Sequence, residues 1–202
     1  MALWQAPEPL VLASRSSSRR AMLEAAGIPV EVRVADIDER AVESAAGVSA
    51  AGEAALLLAC EKAGAVARVM PSRLVVGADQ TLSIDDRRLD KPVDIAAARA
   101  QLGMLAGRTH ELHAAVAVAY GDEVLFRAVD RARLTVRSFT AGFLQSYLDA
   151  AGASVLASVG SYQLEGAGIH LFERIEGNYF TILGLPLLPL FSFLRRHGSL
   201  AA

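Results

Sequence analysis

The segment Ser14-Arg15-Ser16-Ser17-Ser18-Arg19-Arg20 sets several hydroxyls ahead of a helical pattern whose first turn carries two arginines. Cations there oppose the helix macrodipole, which favours negative charge at that end. Free backbone N–H groups and guanidiniums together suit a phosphate. The plainer alternative is that Ser16 or Ser17 only caps the helix and the arginines are solvated. A second candidate is Asp79, placed after the apolar run Leu74-Val75-Val76-Gly77-Ala78 as if at the end of a buried strand. A carboxylate at the carboxyl end of such a strand commonly faces the crevice where α/β proteins hold ligands. It can hold a divalent metal or activate a water, or simply cap nearby loop amides. Asp36-Ile37-Asp38-Glu39 reads as an acidic loop, either solvated or a source of hard oxygen ligands. Lys62, in an Ala/Leu-rich helix beside Glu61, either snorkels to the surface or meets a phosphate. Lys91 is held extended by Pro92. His110 and His113 stand at i, i+3 along a strand and so point to opposite faces, which argues against a shared metal site.

The elements that must position these groups alternate. Leu10 to Ala13 reads as a short buried strand, followed by a helix through Ala26 that Gly27 ends. Val30 to Val34 alternates like a strand, and Gly52 to Met70 reads as a long helix closed by Pro71. The strand Leu74 to Ala78 ends at Asp79, and Thr81 to Leu89 looks like a hairpin around Asp85-Asp86. Asp94 caps a helix to Leu105, stopped by Gly107. Two long β stretches, His110 to Tyr120 and Glu123 to Arg137, join through a Gly121-Asp122 turn. Thr140 to Ala151 is another helix. Ile169 to Ile175 and Tyr179 to Leu183 read as strands, and a helix runs from about Pro186 to Arg196. The pattern predicts an α/β protein with a mixed sheet and flanking helices. Without a long linker, two lobes would share one cleft within a single domain, residues 1–202.

Composition narrows the function classes. The 202 residues are 53% apolar, ample for a core, and the net charge of −2 gives no reason to expect a nucleic-acid polymer as partner. Apolar runs fall far short of the roughly 18 to 20 residues a membrane span needs, so no membrane partner is expected. No signal peptide is visible in the stretch through Glu8. The lone Cys60 lies in a helical pattern and reads as a small buried hydrophobe. A reducing cytoplasm is the expected compartment.

Taken in order, Leu12-Ala13-Ser14 with Arg19-Arg20, Asp36-Ile37-Asp38-Glu39, Glu61-Lys62-Ala63, Gly77-Ala78-Asp79 and Lys91-Pro92 form one pattern. It continues through Gly107-Arg108-Thr109-His110, Glu165-Gly166-Ala167-Gly168, Ile175-Glu176-Gly177 and Gly184-Leu185-Pro186. The chain resembles the Maf family of nucleotide pyrophosphatases over nearly its whole length. The resemblance implies a fold like that of inosine triphosphate pyrophosphatases, with a central cleft. It implies hydrolysis of a nucleoside triphosphate to the monophosphate and pyrophosphate with a divalent cation, magnesium or manganese. Asp79 matches the family's catalytic proton acceptor, with Glu39 as the second catalytic carboxylate, and both are the candidate metal ligands. Ser14, Arg19, Lys62 and Lys91 match substrate-binding positions, and Arg20 beside Arg19 joins that set. Partners implied are the nucleotide and, left open, a second copy in a homodimer.

Where many family members have Ser-Pro-Arg-Arg, this chain has Ser16-Ser17-Ser18-Arg19, so Ser18 replaces the first arginine. Members preferring pyrimidine triphosphates carry Gly-Ala-Asp-Thr and a Gln-Gly pair. Gln80 and Glu165 stand at those places and resemble the branch acting on 7-methyl-GTP, which makes Ser18, Gln80 and Glu165 the specificity candidates. Two other readings compete with the pyrophosphatase. One is a nucleotide-binding regulator of cell division with little or no catalysis, and the other a phosphatase removing only the terminal phosphate.

Overall fold

A computed structural model describes residues 3–85 and 87–202, so Asp86, half of the expected Asp85-Asp86 turn, lies outside the described residues. The strands are β1 (Leu10–Leu12), β2 (Val30–Val32), β3 (Val75–Ile84), β4 (Arg87–Leu89), β5 (Thr109–Tyr120), β6 (Glu123–Val136) and β7 (Phe172–Glu176). The helices are α1 (Ser17–Ala25), α2 (Glu39–Ala46), α3 (Ala51–Val69), α4 (Ile95–Leu105), α5 (Ala141–Ala151), α6 (Tyr179–Ile182) and α7 (Leu187–His197). The strands form one seven-stranded sheet in the order β2-β1-β3-β5-β6-β7, with β4 paired to β3. β1 runs parallel to β2 and β3, while β3–β4 and β6–β7 are antiparallel, so the sheet is mixed as expected.

The chain divides into two compact units. The first comprises Met1–Asp79, Ala114–Asp130 and Gly184–Ala202. Its core sets α3 against the sheet through Ala55, Ala59, Ala63 and Ala67, which share a helix face at i, i+4 spacing. Val11, Val75, Ala115, Ala117 and Ala119 meet them from β1, β3 and β5. Small residues on both sides bring helix and strand backbones close. At Gly77 a Cβ would lie 2.1 Å from the Ala59 carbonyl oxygen and 2.6 Å from the Ala63 nitrogen, so only glycine fits. Ala114 to Ala119 is buried without alternation, the mark of a central strand covered on both faces.

The second unit comprises Gln80–His113 and Arg131–Leu183. Its core joins Leu82 and Ile84 of β3, Leu102 and Leu105 of α4, Leu112 of β5, Leu134 of β6 and Leu148 of α5. Asp94 caps α4 by accepting from the Ala97 amide at 2.7 Å, as expected, and Thr140, read as the first helical residue, caps α5 by accepting from the Phe143 amide at 3.2 Å.

Four expectations are corrected. β3 does not stop at Asp79 but continues to Ile84, which leaves the carboxylate inside the strand. The polar residues that suggested an end are accommodated: Thr81 is buried, and the Gln80 amide donates to the carbonyls of Thr181 and Ile182 at 2.9 and 3.0 Å. The acidic stretch is only partly a loop, since Asp38 caps α2 by accepting from the Ala41 amide at 3.0 Å and Glu39 is its first residue. Tyr179 to Ile182 is a turn of helix, and the stretch from Ala167 to Leu171 is 3-10 helix before β7 begins. Cys60 is half-buried, and burial pushes its thiol up against the opposing effect of Arg127.

Candidate active site

In the first unit, β1, α1, α2, α3 and β3 bring five of the expected residues together. Gly77 sets the contact of α3 with β3, and two residues further along the strand the Asp79 carboxylate meets Lys62. The Lys62 ammonium donates to Asp79 Oδ1 at 2.6 Å and lies 2.8 Å from Glu39 Oε1. The Lys62 and Asp79 side chains are each 12% exposed, whereas Glu39 is 51% exposed. Packing of α2 on α3 carries Glu39 to the ammonium. The pair is therefore an asymmetric carboxylate clamp, buried at Asp79 and open to solvent at Glu39.

Arg19 is neither solvated nor free to turn outward as a whole. Ser16 caps α1 by accepting from the Arg19 amide at 3.3 Å. The Arg19 guanidinium donates through Nε to the Gly184 carbonyl at 2.8 Å, and through Nη1 to the Ala78 carbonyl at 2.8 Å and Ser14 Oγ at 3.1 Å. Ser14 is buried and accepts from the Ser16 amide at 3.2 Å. Burial lowers the Arg19 guanidinium from its ordinary value, while the charges of Asp79 and Glu39 oppose that shift. The arginine thus clasps the backbone immediately before Asp79. Of the plainer reading of the serine-rich segment, the Ser16 cap holds, whereas Arg19 is bound to backbone carbonyls rather than solvated.

Arg20 is not part of this group. It pairs with Glu24 at 2.7 Å on the outer face of α1, 56% exposed. Ser18 is half-buried in the first turn of the same helix.

In the second unit, Lys91 is exposed in the connection between β4 and α4. Gln80 is held by the Thr181 and Ile182 carbonyls at the end of α6. Glu165 is exposed on a tight turn in which the amides of Gly166 and Gly168 both donate to the Gln163 carbonyl, at 3.2 and 3.1 Å. A Cβ at Gly168 would sit 2.3 Å from that oxygen. His110 and His113 do take opposite faces. His110 is buried, 2.6 Å from the Tyr162 hydroxyl, and its Nδ1 has no partner among the described residues. Burial pushes His110 down to about 4, so its ring is neutral near pH 7. His113 lies 3.3 Å from Ser83 Oγ and 3.3 Å from Glu111.

Sequence reasoning missed the carbonyls of Ala78 and Gly184 as the acceptors of Arg19. The signal for one was present, since Gly184 opens a motif already noted, but no side chain marks a carbonyl. It also missed Tyr162 as the partner of His110, because a pair 52 residues apart leaves no local trace.

Residues 9–197 match the model of the family described as Maf-like protein. The chain belongs to the Maf family. A relative from Nitrobacter winogradskyi, named nucleoside triphosphate pyrophosphatase, is 55% identical over 201 residues and covers 100% of both chains. One from Rhizobium meliloti, named 7-methyl-GTP pyrophosphatase, is 50% identical over 195 residues, covering 96% of this chain and 98% of its own. Among solved structures, a HAM1 protein from Coxiella burnetii aligns at 15% identity and a TM-score of 0.42, over 63% of this chain and 72% of its own. That likeness is too distant to bear on the site. Among the described residues of this Maf family member, no helix is long and apolar enough to cross a membrane.

Proposed function

We infer that this Maf family chain is a nucleoside triphosphate pyrophosphatase, and we propose that it hydrolyses its substrate at the α-phosphorus to give the monophosphate and pyrophosphate. The observation that carries the mechanism is the clamp of Asp79 and Glu39 around the Lys62 ammonium, at 2.6 and 2.8 Å. It joins a water-activating carboxylate and a second carboxylate through one shared, phosphate-seeking cation, each within hydrogen-bond distance of the Lys62 ammonium. The near-complete match to relatives named for this activity supports the reaction class.

The donor set fits a divalent cation completed by substrate. Asp79 and Glu39 supply hard oxygens, and no group of three or more His, Cys, Asp or Glu forms a metal cage among the described residues. Magnesium is commonly held by one or two carboxylates together with substrate phosphates. Asp79 and Glu39 would hold it, and magnesium or manganese so bound would neutralise charge on the phosphate oxygens. Asp79 accepts the proton of the attacking water, and Arg19 fixes the backbone that carries it. Lys62 and Lys91 offset the charge that collects on the leaving pyrophosphate. Ser14 anchors the Arg19 clasp, in which Arg20, paired with Glu24 on the outer face of α1, takes no part.

The preferred nucleotide is 7-methyl-GTP or a related modified purine. Support comes from Glu165 and Gln80 at the positions that separate the family branches, and from the Rhizobium meliloti relative. The cytoplasm is the proposed compartment.

Replacing the proton acceptor tests the mechanism. Asp79→Asn keeps the shape of the side chain, and turnover is expected to fall by about two orders of magnitude or more, the usual range for loss of a general base, with nucleotide binding retained. Near-native turnover of that variant would remove Asp79 from the chemistry. Full wild-type turnover in excess chelator would remove the metal.

A further inference from the structure

The Lys62 ammonium lies where a metal ion shared by Asp79 and Glu39 would have to sit, and the local charges already cancel. Two carboxylates, Asp79 and Glu39, face two cations, Lys62 in direct contact and Arg19 within electrostatic reach of both. Arg19 cannot leave without releasing the carbonyls of Ala78 and Gly184. Lys62 can, because its long flexible stem ends in a compact charge with freely rotating donors. The side that opens to solvent is that of Glu39, 51% exposed.

We propose that Lys62 is the resident counter-cation of this carboxylate pair, and that a divalent cation enters only by displacing its ammonium. Metal and nucleotide consequently load together. A dication alone meets a neutral cluster and a cation at close range, which repels it. A polyphosphate brings several negative charges, takes up the released ammonium, and supplies the oxygens that complete the metal's shell. The free enzyme therefore holds divalent metal weakly, and Lys62 passes from carboxylates to phosphate as substrate binds. The inference rests on Asp79 and Glu39 being the metal-holding pair.

Calorimetric titration of manganese into the nucleotide-free full-length protein tests it. The wild type is expected to bind weakly, Lys62→Met at least tenfold more tightly, and Lys62→Arg, which keeps the charge, no more tightly than the wild type. If Lys62→Met is too unstable for calorimetry, the same gain is read as a larger manganese-induced rise in its melting temperature than the wild type shows. A Lys62→Met protein that binds manganese no more tightly than the wild type overturns the displacement, even where turnover still requires metal. Adding Asp79→Asn to Lys62→Met separates the two ideas. Loss of the gained affinity supports displacement at this pair. Its persistence places the metal elsewhere and overturns the carboxylate assignment along with the inference.

Discussion

Under the proposed function, substrate choice turns on Glu165. The Watson–Crick edge of guanine presents two adjacent donors, N1–H and the exocyclic amine, which a carboxylate accepts as a charge-assisted bidentate pair. Methylation at N7 places positive charge on the ring and strengthens both donors. Uracil and thymine offer one N–H between two carbonyls, which a carboxylate repels and an amide matches. Glu165→Gln is therefore expected to shift the ranking of kcat/KM from 7-methyl-GTP toward UTP by tenfold or more, a change of about 1.4 kcal/mol. An unchanged ranking would take Glu165 out of the base contact and leave the pyrophosphatase reading in place. The turn that carries Glu165 is stiff, with two amides on the Gln163 carbonyl, and it follows Tyr162, whose hydroxyl is fixed to His110 at 2.6 Å. Residue types alone marked Asp79, Glu39 and Lys62 as candidates. They did not show that the three form one clamp, because the distances between them depend on how α2, α3 and β3 pack.

At the scale of elements, the close approach of α3 to β3 sets that clamp. Gly77 has no room for a methyl group, since the Ala59 carbonyl and Ala63 amide are fixed backbone. Gly77→Ala is expected to destabilise the protein by about 1–3 kcal/mol through overpacking, read from denaturant unfolding. Turnover of the fraction that remains folded is also expected to fall, because pushing α3 away parts Lys62 from Asp79. A variant with native stability and turnover would show that the contact does not position the pair. The helix and its small face were legible at Ala55, Ala59, Ala63 and Ala67, where composition and periodicity agree. Two elements were not. α2 spans only Glu39–Ala46 and its acidic start reads as loop until Asp38 is seen capping it. α6 is rich in aromatic and β-branched residues that favour strands, but Asn178 caps it by accepting from the Phe180 amide at 2.9 Å. Local propensity fails where one turn is decided by a cap and its surroundings. It failed likewise at β3, where Gln80 satisfies its amide on carbonyls a hundred residues away.

For the whole molecule, the mixed sheet and its helices follow from the alternation of apolar runs, and the family assignment follows from motifs spread over nearly the full chain. The bounds of the two compact units do not follow from the sequence, because the chain passes between them inside β3, β5 and β6, and only its fourth passage, between Leu183 and Gly184, falls in a connection. A boundary inside a strand has no compositional mark. The central claim, attack of water at the α-phosphorus of a nucleoside triphosphate, is a statement about which bond breaks. It is tested most directly by running the reaction on 7-methyl-GTP with magnesium in ¹⁸O-labelled water and identifying the products by mass. Attack at the α-phosphorus yields 7-methyl-GMP carrying the label together with unlabelled pyrophosphate. Labelled pyrophosphate would place the attack at the β-phosphorus. Orthophosphate with 7-methyl-GDP, or no turnover of any nucleoside triphosphate, would contradict the pyrophosphatase outright.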